Sequence, residues 1–189
     1  MTSPLGPAGR APIGDLVDRA TGRPEPGRPE PGAPEPGTPA HPDLGPLAHI
    51  GLVADDFDAA YRTVEAIGVR WSSVTHPMAR LTLPDGTVHE HEVAYVAAAG
   101  GEPRLKLLSA AAGSVFAPGS GTAVHHLSYW VEDIEAATVE LQRAGWVVEA
   151  SGHEADGSVR YRYLVHPAAG RIELGLTRNR AEFDAWADR

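Results

Sequence analysis

The sequence predicts an α+β fold made of two copies of one βαβββ unit, with a proline-rich tail in front. Three observations predict it. The stretch HIGLVADDFDAAYRTVEAIGV from His49 is matched without a gap by HLSYWVEDIEAATVELQRAGW from His126, at an offset of 77 residues. Each copy opens on an apolar or alternating run and then turns to helical spacing. Residues 1–43 show neither pattern and carry the repeats PEPGR, PEPGA and PEPGT.

The elements follow in chain order. The tail lacks an apolar face to bury, and its prolines fix φ and remove donors, so it reads as extended or disordered. IGDLVDRA at 13–20 is too short to stand alone as a helix. The folded part starts at about Leu44 and runs to 178, with modules at about 47–110 and 122–177. In each module a strand ends at an acidic pair, Asp55-Asp56 or Glu132-Asp133, suited to cap free N–H groups at a helix start. Phe57, Ala60, Val64 and Ile67 make the first apolar helix stripe, and Ile134, Ala137, Leu141 and Ala144 the second. Gly68 and Gly145 stop the two helices. Strands are then expected at Val69–Val74, Ala79–Leu83, Thr87–Ala97 and Arg104–Leu108, with a tight turn at Pro84–Gly86. The second module repeats this with Trp146–Ala150, Val159–Val165 and Arg171–Leu176. Residues 179–189 read as a final helix with Phe183 and Trp186 on one face.

Composition narrows the function. The net charge is −9 with no basic block, which argues against nucleic acid. There is no cysteine, so disulfides and thiol catalysis are excluded. No apolar run reaches membrane-spanning length and no secretory leader pattern is seen, so a soluble cytoplasmic protein is expected. Nucleophilic triads and glycine-rich phosphate loops are not visible.

Strand alternation selects the residues that converge. His49, Gly51 and Val53 share one face, as do His126, Ser128 and Trp130. In the closing strands RLKLL and RIELG, Lys106 and Glu173 point away from their leucine and isoleucine neighbours. A twofold relation between the copies would bring His49, His126, Glu173 and Lys106 together. Lys106 is the only lysine in the chain.

The paired motifs AHIGLVADDFDAA and VHHLSYWVEDIEAA, with RIELG, resemble the vicinal oxygen chelate superfamily, which holds glyoxalases, methylmalonyl-CoA epimerases, extradiol dioxygenases and bleomycin-resistance proteins. The resemblance implies a curved mixed sheet around a cleft. It implies a divalent metal (Zn, Ni, Co, Mn or Fe) held by His49, His126 and Glu173, and proton transfer beside a chelated carbonyl of a small molecule, by an isomerase or lyase. Lys106 stands where the family places a fourth ligand. Three accounts of it stay open: a cation paired with Glu173 in place of a metal, as in a metal-free binding or tailoring protein; a catalytic amine, acting with Glu173; or a side chain turned to solvent. With three ligands only, an Fe(II) dioxygenase is a further alternative. Trp130, Ser128, Arg104 and Arg171 are the expected substrate-binding residues. His125 is expected on the opposite face from His126, packed rather than ligating. His89, His91, His153 and His166 read as surface or loop residues. A homodimer is left open.

Overall fold

The computed structural model describes residues 44–117 and 121–189. The expected tail and its repeats lie outside the described residues. The first copy opens with β1 (Leu47–Ala54), crosses α1 (Phe57–Glu65), and continues through β2 (Met78–Thr82), β3 (Val88–Glu92), β4 (Tyr95–Ala97) and β5 (Arg104–Ser109). The second copy is β6 (Thr122–Val131), α2 (Ile134–Arg143), β7 (Val147–His153), β8 (Val159–His166) and β9 (Gly170–Leu176). A 3-10 turn leads into α3 (Arg180–Ala187).

The two long helices start as their sequences dictate. Asp56 accepts a hydrogen bond from Ala59 N at 2.9 Å, and Asp133 does the same for Ala136 N at 3.0 Å. Past each helix the chain reverses through a left-handed glycine, Gly68 (φ 96°) or Gly145 (φ 91°). α1 packs Ala60 and Phe57 against Ala54, Val96 and Leu107. α2 packs Ile134 and Leu141 against Leu164 and Leu174. Ile67 falls past the end of α1 and is 81% exposed, so the first apolar stripe is one residue shorter than expected.

The strands form one mixed sheet in the order β3-β2-β7-β8-β9-β6-β1-β5-β4. Within it β1 and β6 run antiparallel, with His49 opposite Ser128 and Gly51 opposite His126. Moving each residue by the repeat offset exchanges these two pairs, so the register itself carries a local twofold axis. Outside them β5 lies parallel to β1 and β9 parallel to β6. Lys106 then sits beside Gly51, and Glu173 beside Ser128.

Two expected strands differ. Val69–Val74 forms one isolated bridge, Trp71 with Ala98, and Thr75 just past it bridges Tyr95; β4 is three residues long and offers few partners. The expected strand Thr87–Ala97 breaks at Val93 and Ala94, whose N–H groups bond to Pro77 O and Ser109 Oγ. β3 therefore stays with β2, and β4 joins β5. The β2–β3 hairpin leaves its own copy and pairs through Leu81 and Thr82 with Gly152 and Ser151 of β7. Over its root, Leu81, Val93, Leu108, Phe116 and Tyr163 make a shared core.

Candidate metal centre and cavity

The central strand pair places the two histidines ring to ring. His49 Nε2 and His126 Nε2 are 3.0 Å apart. Glu173, from β9, sets Oε1 3.5 Å from His49 Nε2 and Oε2 3.6 Å from His126 Nε2. All three residues are buried, and their ligand atoms lie within 4.8 Å of one another. Among the described residues this is the one such group. Ser128 Oγ donates to Glu173 Oε1 at 2.8 Å and fixes the carboxylate from behind.

Gly51 makes this approach possible. A Cβ there would lie 2.1 Å from His126 Cε1 and 2.5 Å from both ring nitrogens. The twofold mate of Gly51 is Ser128, which keeps a side chain and uses it on Glu173.

A bulge decides the tautomer of His126. Gly51 faces His126 and Leu52 faces Val124, so His125 is the extra residue of β6. The bulge turns His125 toward its neighbour rather than to the opposite face, which corrects the alternation expected from sequence. His125 Nε2 lies 2.7 Å from Val115 O, and His125 Nδ1 lies 2.8 Å from His126 Nδ1. A carbonyl only accepts, so His125 carries its proton on Nε2 and accepts on Nδ1. His126 then carries its proton on Nδ1, and its Nε2 lone pair faces His49 and Glu173. The equivalent bulge in β1 falls at Ala48, because Leu47 faces Tyr129 and His49 faces Ser128. Ala48 has no ring to offer, and His49 Nδ1 is buried with no partner.

Burial pushes all three imidazoles down: His49 to about 3, His125 to about 4, and His126 well below its ordinary value. They are neutral at physiological pH, as ligation requires. Burial acts the other way on Glu173, but the histidines as they charge in acid, Lys106 and the Tyr163 hydroxyl outweigh it and hold the carboxyl below its usual range. The set is therefore two neutral imidazole nitrogens and one ionised carboxylate. This donor chemistry fits a divalent cation.

A cavity of about 460 Å³ opens beside this centre. His49 and Glu173 form part of its wall, with Lys106, Tyr95, Trp130 and Tyr161. His126 lies behind the wall. α3 closes one side, as its two aromatic residues were placed on one face but not over the site. Phe183 stacks on His49 at 5.5 Å between centroids and meets Trp130 edge-on at 5.9 Å. Trp186 meets Tyr95 edge-on at 5.1 Å. Sequence reasoning missed this wall, together with Tyr95 and Tyr161.

Four expected substrate-binding residues part company here. Trp130 lines the cavity. Ser128, Arg104 and Arg171 are not on its wall. Ser128 is used on Glu173. Arg104 is buried and clamps α3 through Asp184 at 3.3 Å and Asp188 at 2.9 Å, while also donating to Ala98 O. Arg171 is engaged by Glu149 through two hydrogen bonds of 2.6 Å. No Lys106–Glu173 ion pair within 4.0 Å is present among the described residues; Lys106 Nζ lies over the Tyr95 ring, 4.9 Å from its centre.

Residues 48–163 match the Glyoxalase/Bleomycin resistance protein/Dioxygenase superfamily. No curated protein matches the chain. Among solved structures, a Streptomyces coelicolor methylmalonyl-CoA epimerase variant in complex with 2-nitronate-propionyl-CoA is 19% identical at a TM-score of 0.50, covering 70% of this chain and 97% of that one. A methylmalonyl-CoA epimerase in complex with methylmalonyl-CoA and ammonium is 19% identical at 0.50, covering 70% and 94%. A halotolerant catechol dioxygenase is 22% identical at 0.43, covering 69% and 39%. The two epimerase likenesses show the shared fold. No helix among the described residues is long and apolar enough to cross a membrane.

Proposed function

We propose that this chain, which belongs to the Glyoxalase/Bleomycin resistance protein/Dioxygenase superfamily, is a metal-dependent enzyme that moves a proton next to a carbonyl of a small molecule. The reading is that of an isomerase, or of a lyase that begins with the same step. One observation carries it: His49, His126 and Glu173, two neutral bases and an anion, converge within 4.8 Å, and His49 and Glu173 line a cavity. These three residues would hold the cation, which when bound polarises a substrate carbonyl as a Lewis acid.

The chain's own residues do the rest. His125 holds His126 with Nε2 bare, so one ligand is prepared without rearrangement. His49 is the less prepared ligand. In the described state its Nε2–H donates to His126 Nε2, and freeing that nitrogen moves the proton to Nδ1, which has no acceptor. Glu173 is held ionised on the cavity wall beside the cation site, and it would take the proton. Lys106 faces the cavity and sets a positive charge against the negative charge left on the substrate. At 19% identity, the epimerase likeness supports the fold on which this reading rests and not its substrate.

Metal uptake and hydrogen exchange test it. Purified full-length protein is expected to bind one equivalent of Zn, Ni, Co, Mn or Fe, and His126→Ala to lose it. In D₂O, exchange at a carbon next to a carbonyl should require metal and disappear in Glu173→Gln. If wild type takes up none of these metals and His126→Ala exchanges as wild type does, the reading is wrong. Oxygen consumption with catechols instead of exchange would move the same three ligands to a dioxygenase.

A further inference from the structure

The duplicated units orient only one of their two histidines by a hydrogen bond. His125 accepts from His126 Nδ1–H at 2.8 Å. A ligand imidazole is ordinarily held in this way, through the ring nitrogen that faces away from the metal. His49 has no such partner. Its Nδ1 is buried and unpaired, and the bulge residue before it is Ala48. Its Nε2 is bonded to His126 Nε2, and that is the bond ligation must break. Among the described residues no other hydrogen bond reaches the His49 ring, so none is left to set its plane.

Rings meet it instead. Phe183 stacks on His49 with 5.5 Å between centroids and 28° between planes, and His126 meets it edge-on at 5.1 Å. Phe183 belongs to neither copy of the repeat. It stands on α3, past the end of β9. Two further rings support it, Trp130 at 5.9 Å and Trp186, one turn along α3, at 5.7 Å. An offset stack has a preferred separation and a preferred plane, so it restrains rotation of the ring it covers. An aliphatic side chain in the same space fills volume and leaves the plane free.

The helix that presents Phe183 is itself placed from beside His49. No backbone hydrogen bond joins α3 to a strand among the described residues, so side chains set its position. Arg104 is the register partner of His49 across β1 and β5. It is buried and reaches Asp184 at 3.3 Å and Asp188 at 2.9 Å. Asp188 also accepts from Gly100 N at 3.1 Å. From the second copy, Arg160 pairs with Glu182 at 3.4 Å. The contacts form a closed circuit. β1 carries His49, β5 beside it carries Arg104, Arg104 holds α3, and α3 returns Phe183 to His49.

We infer that Phe183 is the positioning residue of His49: stacking from the C-terminal helix does for this ligand what the His125 hydrogen bond does for His126. This rests on the reading of His49 as a ligand for the cation. It makes α3, which lies outside the duplication, a part of the centre. It also lets Arg104, which is not on the cavity wall, act on metal affinity through α3.

The test uses full-length protein and two readouts. Cobalt affinity comes from the absorbance of the bound ion, and the orientation of His49 from the nitrogen NMR signals of its ring in metal-stripped protein. Phe183→Leu keeps an apolar side chain and removes the ring. It should weaken cobalt binding by about tenfold, the low end of the loss when an orienting group is removed. His49 should then lose its single set of ring signals while His126 keeps its own. Phe183→Tyr restores a ring and should restore both readouts. Trp186→Leu is the control, because it removes a ring of the same helix that meets Tyr95 and Phe183 rather than His49. It should lower the melting temperature and leave cobalt affinity and the His49 signals as in wild type. Should Phe183→Leu not fold, Phe183→Met takes its place with the same expectations. Where wild type binds cobalt, either readout unchanged in the ringless variant overturns the inference. So do equal losses in Phe183→Leu, Phe183→Tyr and Trp186→Leu, which would mark plain destabilisation. Wild-type protein that takes up no cobalt removes the metal reading, and the His49 signals of the metal-stripped variants then decide the orienting role alone.

Discussion

Replacing Gly51 by alanine should break the candidate centre from the backbone side. The added Cβ lies 2.1 Å from His126 Cε1, and an ordinary contact begins at 3.4 Å, so the ring must retreat by about 1.3 Å. It has nowhere to go without loss. His126 Nδ1 is bonded to His125 at 2.8 Å, Nε2 faces His49 at 3.0 Å, and Tyr163 packs edge-on at 5.2 Å. Moving β1 instead would pull Gly51 from its register opposite His126. Overpacking of this kind costs about 1–3 kcal/mol, and one hydrogen bond lost in the buried ring chain adds roughly 1 kcal/mol. A total near 3 kcal/mol lowers the melting temperature of a domain this size by roughly 6–12 °C. Metal affinity, followed by the absorbance of bound cobalt, should fall tenfold or more, the lower end of losses seen when groups that orient a ligand are disturbed. The twofold mate supplies the control. Ser128→Gly removes the hydroxyl that donates to Glu173 and creates no clash, so it should cost about 1 kcal/mol. A Gly51→Ala protein that melts within 2 °C of wild type (a shift of about half a kcal/mol) and binds cobalt equally would refute the packing argument.

Three other outcomes follow from the same geometry. His125→Ala leaves His126 Nδ1–H and Val115 O without their partner, so stability should drop by about 1–3 kcal/mol and the nitrogen NMR signature of His126 should lose its single tautomer. Arg104→Ala removes the contacts to Asp184, Asp188 and Ala98 O, so hydrogen exchange across 180–187 should accelerate while β1 and β6 stay protected; unchanged exchange in α3 would show that its aromatic contacts suffice. In metal-stripped protein, stability should fall as pH drops from about 6.5 toward 4. His49, His125 and His126 titrate below their ordinary value when folded, so the unfolded chain binds more protons in that window, and each imidazole contributes a slope of about 1.4 kcal/mol per pH unit. Denaturant midpoints that stay flat from pH 7 to 5 would contradict it.

The duplicated register was legible because it is written in the chain: His49 and His126 stand at equal positions, and so do the acidic caps and the glycines after each helix. Glu173 could be placed on a face by alternation alone. What alternation could not supply was the partner strand. The bulges at Ala48 and His125 exist only as an offset between β1 and β6, and no pattern within either strand announces them. The same limit misplaced Arg104 and Arg171. Their faces were read from their own strands, whereas their roles are set by Asp184 and Asp188 on α3 and by Glu149 on β7. The break at Val93 and Ala94 depends on Pro77 O and Ser109 Oγ, which are distant in sequence. Aromatic residues were ambiguous for another reason. Tyr161 and Tyr163, two positions apart on one face of β8, belong to one cluster and both line the cavity, so core and cavity wall are the same residues there and the side-chain type does not separate them.

The local twofold makes the chemistry of the site readable as a set of departures from symmetry. Ala48 answers His125, Gly51 answers Ser128, and Lys106 answers Glu173 across the axis. In each pair the second copy holds the group that fixes something: a ring that sets a tautomer, a hydroxyl that pins a carboxylate, the carboxylate itself. The first copy holds the smaller residue or the opposite charge. The backbone therefore builds two equal half-sites, and the side chains spend one on holding His126 and Glu173 rigid while leaving the other open at His49 and Lys106. A symmetric four-ligand set would close the centre on both sides. With Lys106 beside Gly51 where Glu173 stands beside Ser128, the first-copy side of the cavity carries a positive charge and the second-copy side a negative one.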